Sequence, residues 1–150
     1  MTDMTLTEQL NVILANTYTV LMQTQSVHWN IVGSNFYGIH KMTESQYEDM
    51  FSAIDQIAER IRAKGYHATS GMKAYSSLSL IEELDDTMLN GDSMCQHLID
   101  ANKKLCEHLK LTYEQAEKEK DTATADFIND RILKHEEHIW MLSATISGVD

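Results

Sequence analysis

Not one proline interrupts this chain, and only 6 glycines punctuate its 150 residues. Proline breaks a helix because it lacks an N–H and its ring clashes with the preceding turn. A chain without it is free to form long helices, and its apolar residues recur with the matching period. Leu6, Leu10, Ile13, Leu14 and Leu21 share one face of a first helix that runs to Val32 and stops at Gly33. Ser34 or Asn35 then caps a second helix carrying Tyr47, Met50, Phe51, Ile54, Ile57, Ala58 and Ile61, which ends near Gly65. The Gly/Ser-rich stretch "GYHATSGMKAYSSLSL" predicts a long crossover with one short helical turn near Met72 to Tyr75. A third helix is expected from Asp85 or Asp86 through Met94, Leu98, Ala101, Leu105, Leu109 and Thr112. A fourth follows Asp121, with Ile128, Ile132, Ile139, Leu142 and Ile146 on its inner face. Residues 1–150 therefore form one all-α domain: two helix pairs joined by a long connection in a four-helix bundle.

Charge and composition narrow the function. The formal net charge of -11 repels nucleic acid and anionic membranes, and residues 1–40 contain no Lys or Arg to offset it. The N-terminal "MTDMTLTEQL" lacks the basic region of a signal peptide. No stretch approaches the roughly 18 consecutive apolar residues of a membrane span. Cys95 and Cys106 lie 11 residues apart on one predicted helix. At 1.5 Å per residue that is about 16 Å, too far for a disulfide. A reduced, cytoplasmic, soluble protein is the expectation.

Chemistry concentrates around the first corner, "SVHWNIVGSNFYGIH". His28 falls on the first helix's apolar stripe, and His40 follows the corner by about one turn, so the two imidazoles reach similar depth. Taken alone, His28 is a hydrogen-bonded core residue or a metal ligand. On the second helix Glu44, Glu48, Asp55 and Glu59 share one sector, as a solvated acidic face or as ligands. Asp55 lies 15 residues beyond His40. That is about 22 Å along a helix, so one chain cannot bring these histidines and carboxylates onto one ion. If they form one site, two subunits meet antiparallel and make two identical sites per two-fold interface. No Glu has a His three positions later, which excludes the Glu-x-x-His pairs of a di-iron centre inside the bundle. "HEEH" at His135–His138 lacks zinc-protease spacing, and His135 lies on the apolar stripe as a core histidine. His97, Cys106 and His108 share a helix without a partner set for zinc.

From "HWNIVGSNFYGIHKMTE" through "DQIAERIRAKG", with support from "DFINDRILKHEEHIWML", the chain resembles the Dps family of mini-ferritins. The resemblance implies a ferritin-like bundle assembled as a hollow homododecamer. Such proteins oxidise Fe(II), preferentially with hydrogen peroxide, and store the ferric mineral. It implies that His28 and His40 hold iron together with Asp55 and Glu59 of a neighbouring subunit, two irons per shared site. Glu44 stands where the family usually has Asp, one methylene longer, as a supporting ligand. Trp29, adjoining His28, matches a radical trap or packs an interface. Asp121 and Asp126 match acidic positions lining the pores that admit iron, or cap a helix. DNA-binding members carry a Lys/Arg-rich tail, and neither "MTDMTLTEQL" nor "SATISGVD" is one. Iron oxidation without DNA binding at neutral pH is the reading; DNA compaction is the alternative, and a purely structural helical oligomer the third.

Overall fold

The computed structural model describes residues 1–84 and 90–147. Five helices are described: α1 (Leu6–Asn30), α2 (Phe36–Ala63), α3 (Met72–Leu78), α4 (Gly91–Lys118) and α5 (Thr122–Ile146). The long four form the bundle, and no strand occurs among the described residues. α1 packs along α2 and α4 along α5; α1 also packs on α4 and α3, while α2 and α5 meet only sparsely. That sparse contact leaves a groove between α2 and α5.

Helix ends follow local chemistry. Thr5 caps α1 in a reciprocal box: its Oγ1 accepts from Glu8 N at 3.2 Å, and Glu8 Oε2 accepts from Thr5 N at 2.8 Å. α1 ends at Asn30, two residues before the expected Val32, because Ile31 turns extended and is buried between the helices. Asn35 does precede α2, but its side chain makes no capping bond. α2 ends in a Schellman turn: Gly65, at φ +90°, donates to Arg62 O, and Tyr66 N donates to Ile61 O. The same turn closes α4, with Lys120 N donating to Ala116's neighbour Glu117 and Asp121 N donating to Ala116 O. Here a lysine, Lys120, takes the left-handed position at φ 57°. Asp121 then caps α5, as its sequence position suggests. Asp85 and Asp86, expected to open the third long helix, lie outside the described residues. α4 is described from Gly91, where Asn90 Oδ1 accepts from Asp92 N and Ser93 N.

The main core joins Leu10, Ile13, Leu14, Met50, Ile57, Ile61, Leu105, Leu109 and Ile128; each such side chain stabilises by about 1.5–3 kcal/mol on burial. A smaller core of Val27, Ile31, Ile39, Met94, Leu98 and Leu142 lies beneath the α1–α2 corner. The corner is thus seated on a buried apolar cluster, which matters for the histidines it carries.

The expected short helix is present and slightly longer, Met72–Leu78. Polar side chains of α1 pin the crossover around it. Asn16 Oδ1 accepts from Leu80 N at 2.8 Å, Thr19 Oγ1 donates to Ser79 Oγ at 2.7 Å, and Gln23 Nε2 donates to Glu82 O at 2.7 Å. His108 Nδ1 accepts from Asn16 Nδ2, and His97 Nε2 donates to Gln23 Oε1, so both histidines support these anchors. Burial pushes both imidazoles below their ordinary range.

Candidate metal centre

His28 and His40 come together face to face, ring centroids 3.7 Å apart and planes within 14°. His28 is buried on α1, and His40 is half-buried on α2. Each Nδ1 lies 2.7 Å from the backbone carbonyl of the other residue. A carbonyl only accepts, so both Nδ1 atoms carry hydrogen, and in the neutral rings both Nε2 atoms carry a free lone pair. The fold therefore sets the tautomer of both rings before any ion arrives. Phe36 stacks on the far side of His40 at 5.0 Å, and Tyr47 meets His28 edge-on at 5.2 Å. These two rings, rather than the exposed Trp29, hold the pair in place.

The carboxylates occupy the other end of the same helix. Asp55 and Glu59 are exposed on α2, one turn apart. Asp55 lines a cleft with Tyr18, Phe51, Ile54, Ala58 and Tyr75; Glu59 lines the α2–α5 groove. Among the described residues, no three His, Cys, Asp or Glu side chains of the chain gather on one point. Glu44 is near the histidines but bonded to Lys41 at 3.0 Å. That bond, with the Lys41 charge and then His28 and His40, holds its carboxyl below the usual range. The Lys41 bond engages Oε2 of the Glu44 carboxylate.

The acids near α5 separate into two situations. Asp121 is committed: it accepts from Lys64 at 2.6 Å, Arg60 at 3.2 Å and the Thr124 hydroxyl at 2.7 Å. Burial opposes its charge, yet these donors hold it well below the carboxylate range. Asp126 is exposed on the first turns of α5.

The bundle centre holds a polar network that the sequence analysis missed. Arg131, 5% exposed, forks onto Asp49 at 3.0 and 2.8 Å. His138 Nε2 lies 3.0 Å from the same carboxylate. Arg131 also donates to His135 Nε2, whose Nδ1 donates to Asn102 Oδ1 at 2.8 Å. Burial would raise Asp49, but the His138 and Arg131 bonds and charges hold it well below the usual range. Burial first, then the Arg131 charge, pushes His135 far down, so it is neutral. The missed signal was phase: Arg131 follows Ile128 and precedes His135 on the apolar stripe, and a cation there requires an acid. With this internal cation in the bundle centre, His135 and His138 are structural.

Four long helices in two pairs, joined through a short crossover helix, define a ferritin-type bundle. The chain matches the ferritin-like domain family over residues 7–150. It is 32% identical to a low temperature-induced protein of Nostoc sp. over 93% of this chain and 78% of that one. It is 29% identical to a DNA protection during starvation protein of Helicobacter pylori, over 93% of this chain and 97% of that one. The solved Dps protein of Vibrio cholerae, described as a member of a broad superfamily of ferritin-like diiron-carboxylate proteins, superposes with a TM-score of 0.89 at 32% identity. That alignment spans 95% of this chain and 89% of the other. The chain belongs to the ferritin-like family, in its Dps branch. No helix among the described residues is long and apolar enough to cross a membrane.

Proposed function

We propose that this protein is a peroxide-consuming ferroxidase and iron store, assembled as a hollow homododecamer. Its reaction site is shared between two subunits: His28 and His40 of one bind Fe(II) together with Asp55 and Glu59 of its neighbour, two irons per site. Glu44 supports the second, weaker position. The observation carrying this reading is the histidine pair. Two rings with both Nδ1–H groups spent on backbone carbonyls present two Nε2 lone pairs from the α1–α2 corner, far from the carboxylates on their own helix. Antiparallel pairing of α2 with its copy brings the two halves together.

The donor set suits ferrous iron as substrate. Imidazole and carboxylate without thiolate match Fe(II). The thiols of Cys95 and Cys106 are buried and pushed up to about 11, chiefly by that burial, and stay protonated. Such buried, reduced cysteines agree with a cytoplasmic setting. Two ferrous ions give one electron each, and hydrogen peroxide takes both with two protons to become two waters. Completing the reduction in one place releases no hydroxyl radical. Ferric product leaves for the cavity because the ligand set is sparse. Asp126, with its carboxylate exposed near the α4–α5 corner, is the better acid for a pore that admits iron; Asp121 caps and braces that corner.

A net charge of -11 per chain, about -132 for twelve, opposes DNA association by long-range repulsion. The discriminating experiment is Fe(II) oxidation followed with hydrogen peroxide and separately with oxygen, beside a DNA gel shift at neutral pH. The ferroxidase reading expects a fast phase, quicker with peroxide, that Asp55→Asn abolishes while the oligomer remains. Parent-like oxidation in Asp55→Asn removes Asp55 from the site, and retarded DNA at micromolar protein favours the compaction reading.

A further inference from the structure

The cleft that Asp55 lines holds two oxidisable rings in a particular arrangement. Tyr18 of α1 and Tyr75 of α3 stack with centroids 4.6 Å apart and planes within 22°. The stack is fixed from both sides. Tyr75 lies in α3, whose C-cap Ser79 donates its N–H to Tyr75 O at 2.8 Å and accepts from Thr19 Oγ1 at 2.7 Å. Thr19 is the residue after Tyr18. Leu80 N adds a bond to Asn16 one turn earlier on α1. The cleft is about 680 Å³, with apolar walls from Phe51, Ile54 and Ala58, and Asp55 is the one carboxylate lining it among the described residues. Burial, and then the neighbouring Tyr18, raises the Tyr75 phenol, which keeps it protonated at neutral pH.

We propose that the stacked Tyr18–Tyr75 pair is the electron reserve of the shared iron site. It gives hydrogen peroxide the electron that a second ferrous ion gives when the site is full, and it ends as a covalent Tyr18–Tyr75 cross-link. The proposal rests on the ferroxidase reading of the same site. With one Fe(II) bound, the ion gives one electron and the O–O bond breaks. One tyrosine gives the second electron with its phenolic proton, so the products are Fe(III), hydroxide, water and one tyrosyl radical. Once the ferric ion has left for the cavity, a second Fe(II) entering the site repeats the event and oxidises the stacked neighbour. The two radicals couple through ring carbons ortho to the hydroxyls, and each displaced ring hydrogen returns to a phenol oxygen. Stacking with centroids 4.6 Å apart is the arrangement in which ring carbons of two phenols can approach for coupling.

The test gives the assembled protein one Fe(II) per site and then hydrogen peroxide, and repeats the cycle once so that both tyrosines of a pair are oxidised. Peptide mass spectrometry looks for the 18–75 cross-link, and a spin trap counts hydroxyl radical. The expected result is an iron-dependent cross-link, scarce when two Fe(II) per site are added at once and absent from Asp55→Asn. Tyr18→Phe with Tyr75→Phe should raise trapped radical at one iron per site several-fold, whereas Tyr113→Phe, on α4 and half-buried against the main core, should behave as the parent. A cross-link formed by peroxide without iron, or undiminished in Asp55→Asn, overturns the proposal. So does an absent cross-link in a parent protein that oxidises iron rapidly at two per site. If the parent shows no rapid oxidation at two irons per site, the ferroxidase reading fails first and the proposal falls with it.

Discussion

His28 and His40 each donate a hydrogen bond to the other's backbone carbonyl at 2.7 Å while their rings stack at 3.7 Å. The two rings are one mechanical unit: removing either takes the stacking face from the other and leaves that residue's backbone carbonyl without its donor. His28→Ala and His40→Ala should each slow the fast phase of iron oxidation by at least about tenfold, the scale on which ligand-orienting partners act. The double variant should lose little more. Stopped-flow oxidation of all three proteins checks this; losses that multiply would mean that the rings act independently.

The Asp49–Arg131 fork is the main ionic contact of the bundle centre. Breaking one partner strands the other's charge, so Asp49→Asn or Arg131→Met should cost about 3–5 kcal/mol. Replacing both, as Asp49→Leu with Arg131→Met, should recover most of that loss because no lone charge remains. Denaturant unfolding of the single and double variants decides it, with an additive double contradicting the network.

Three histidines, His97, His108 and His135, are held below their ordinary range, mainly by burial. A depressed histidine binds its proton more readily in the unfolded chain, so stability is full above the unfolded value near 6.5 and falls as pH drops beneath it. Each proton contributes a slope of up to about 1.4 kcal/mol per pH unit. Melting temperature should therefore decline from pH 7 to pH 5. His135→Gln should flatten that decline while lowering stability at pH 7, because the Asn102 and Arg131 bonds are rebuilt less well.

Lys120 takes φ 57° at the end of α4, where a β-carbon is strained. Its backbone bonds are already made, so Lys120→Gly removes strain without removing contacts. Calorimetry should show stabilisation of about 0.5–1 kcal/mol, less than the full left-handed penalty because glycine also loosens the unfolded chain. A destabilised variant would mean that the lysine side chain supports the corner.

The bundle was legible because its code is local and repeated. The stripes through Leu10 and Ile13, and through Ile128 and Leu142, face the core as their spacing predicts. The Gly65 and Asp121 punctuation also falls where expected. The α1 start was readable and overlooked, since Thr5 and Glu8 have capping-box spacing. Contacts between distant segments were not legible. Arg131 and Asp49 lie 82 positions apart, and only the fold reveals that the cation on the α5 stripe meets an acid on α2. The histidines could be placed at one depth by counting turns, but reciprocal carbonyl bonding depends on the corner's backbone path. Asp85 and Asp86, where the third long helix was expected to open, lie outside the described residues, and α4 is described from its Asn90 cap.

The central claim is that the site belongs to two chains. Along α2, Asp55 lies about 22 Å from His40, so the halves can meet only across an interface. A His28→Ala, His40→Ala chain and an Asp55→Ala, Glu59→Ala chain each retain one half. Co-assembled, they should regain rapid iron oxidation, with one intact site at each mixed two-fold interface where neither parent assembly has any. Mixed oligomers that oxidise iron no faster than either variant alone would contradict the shared site.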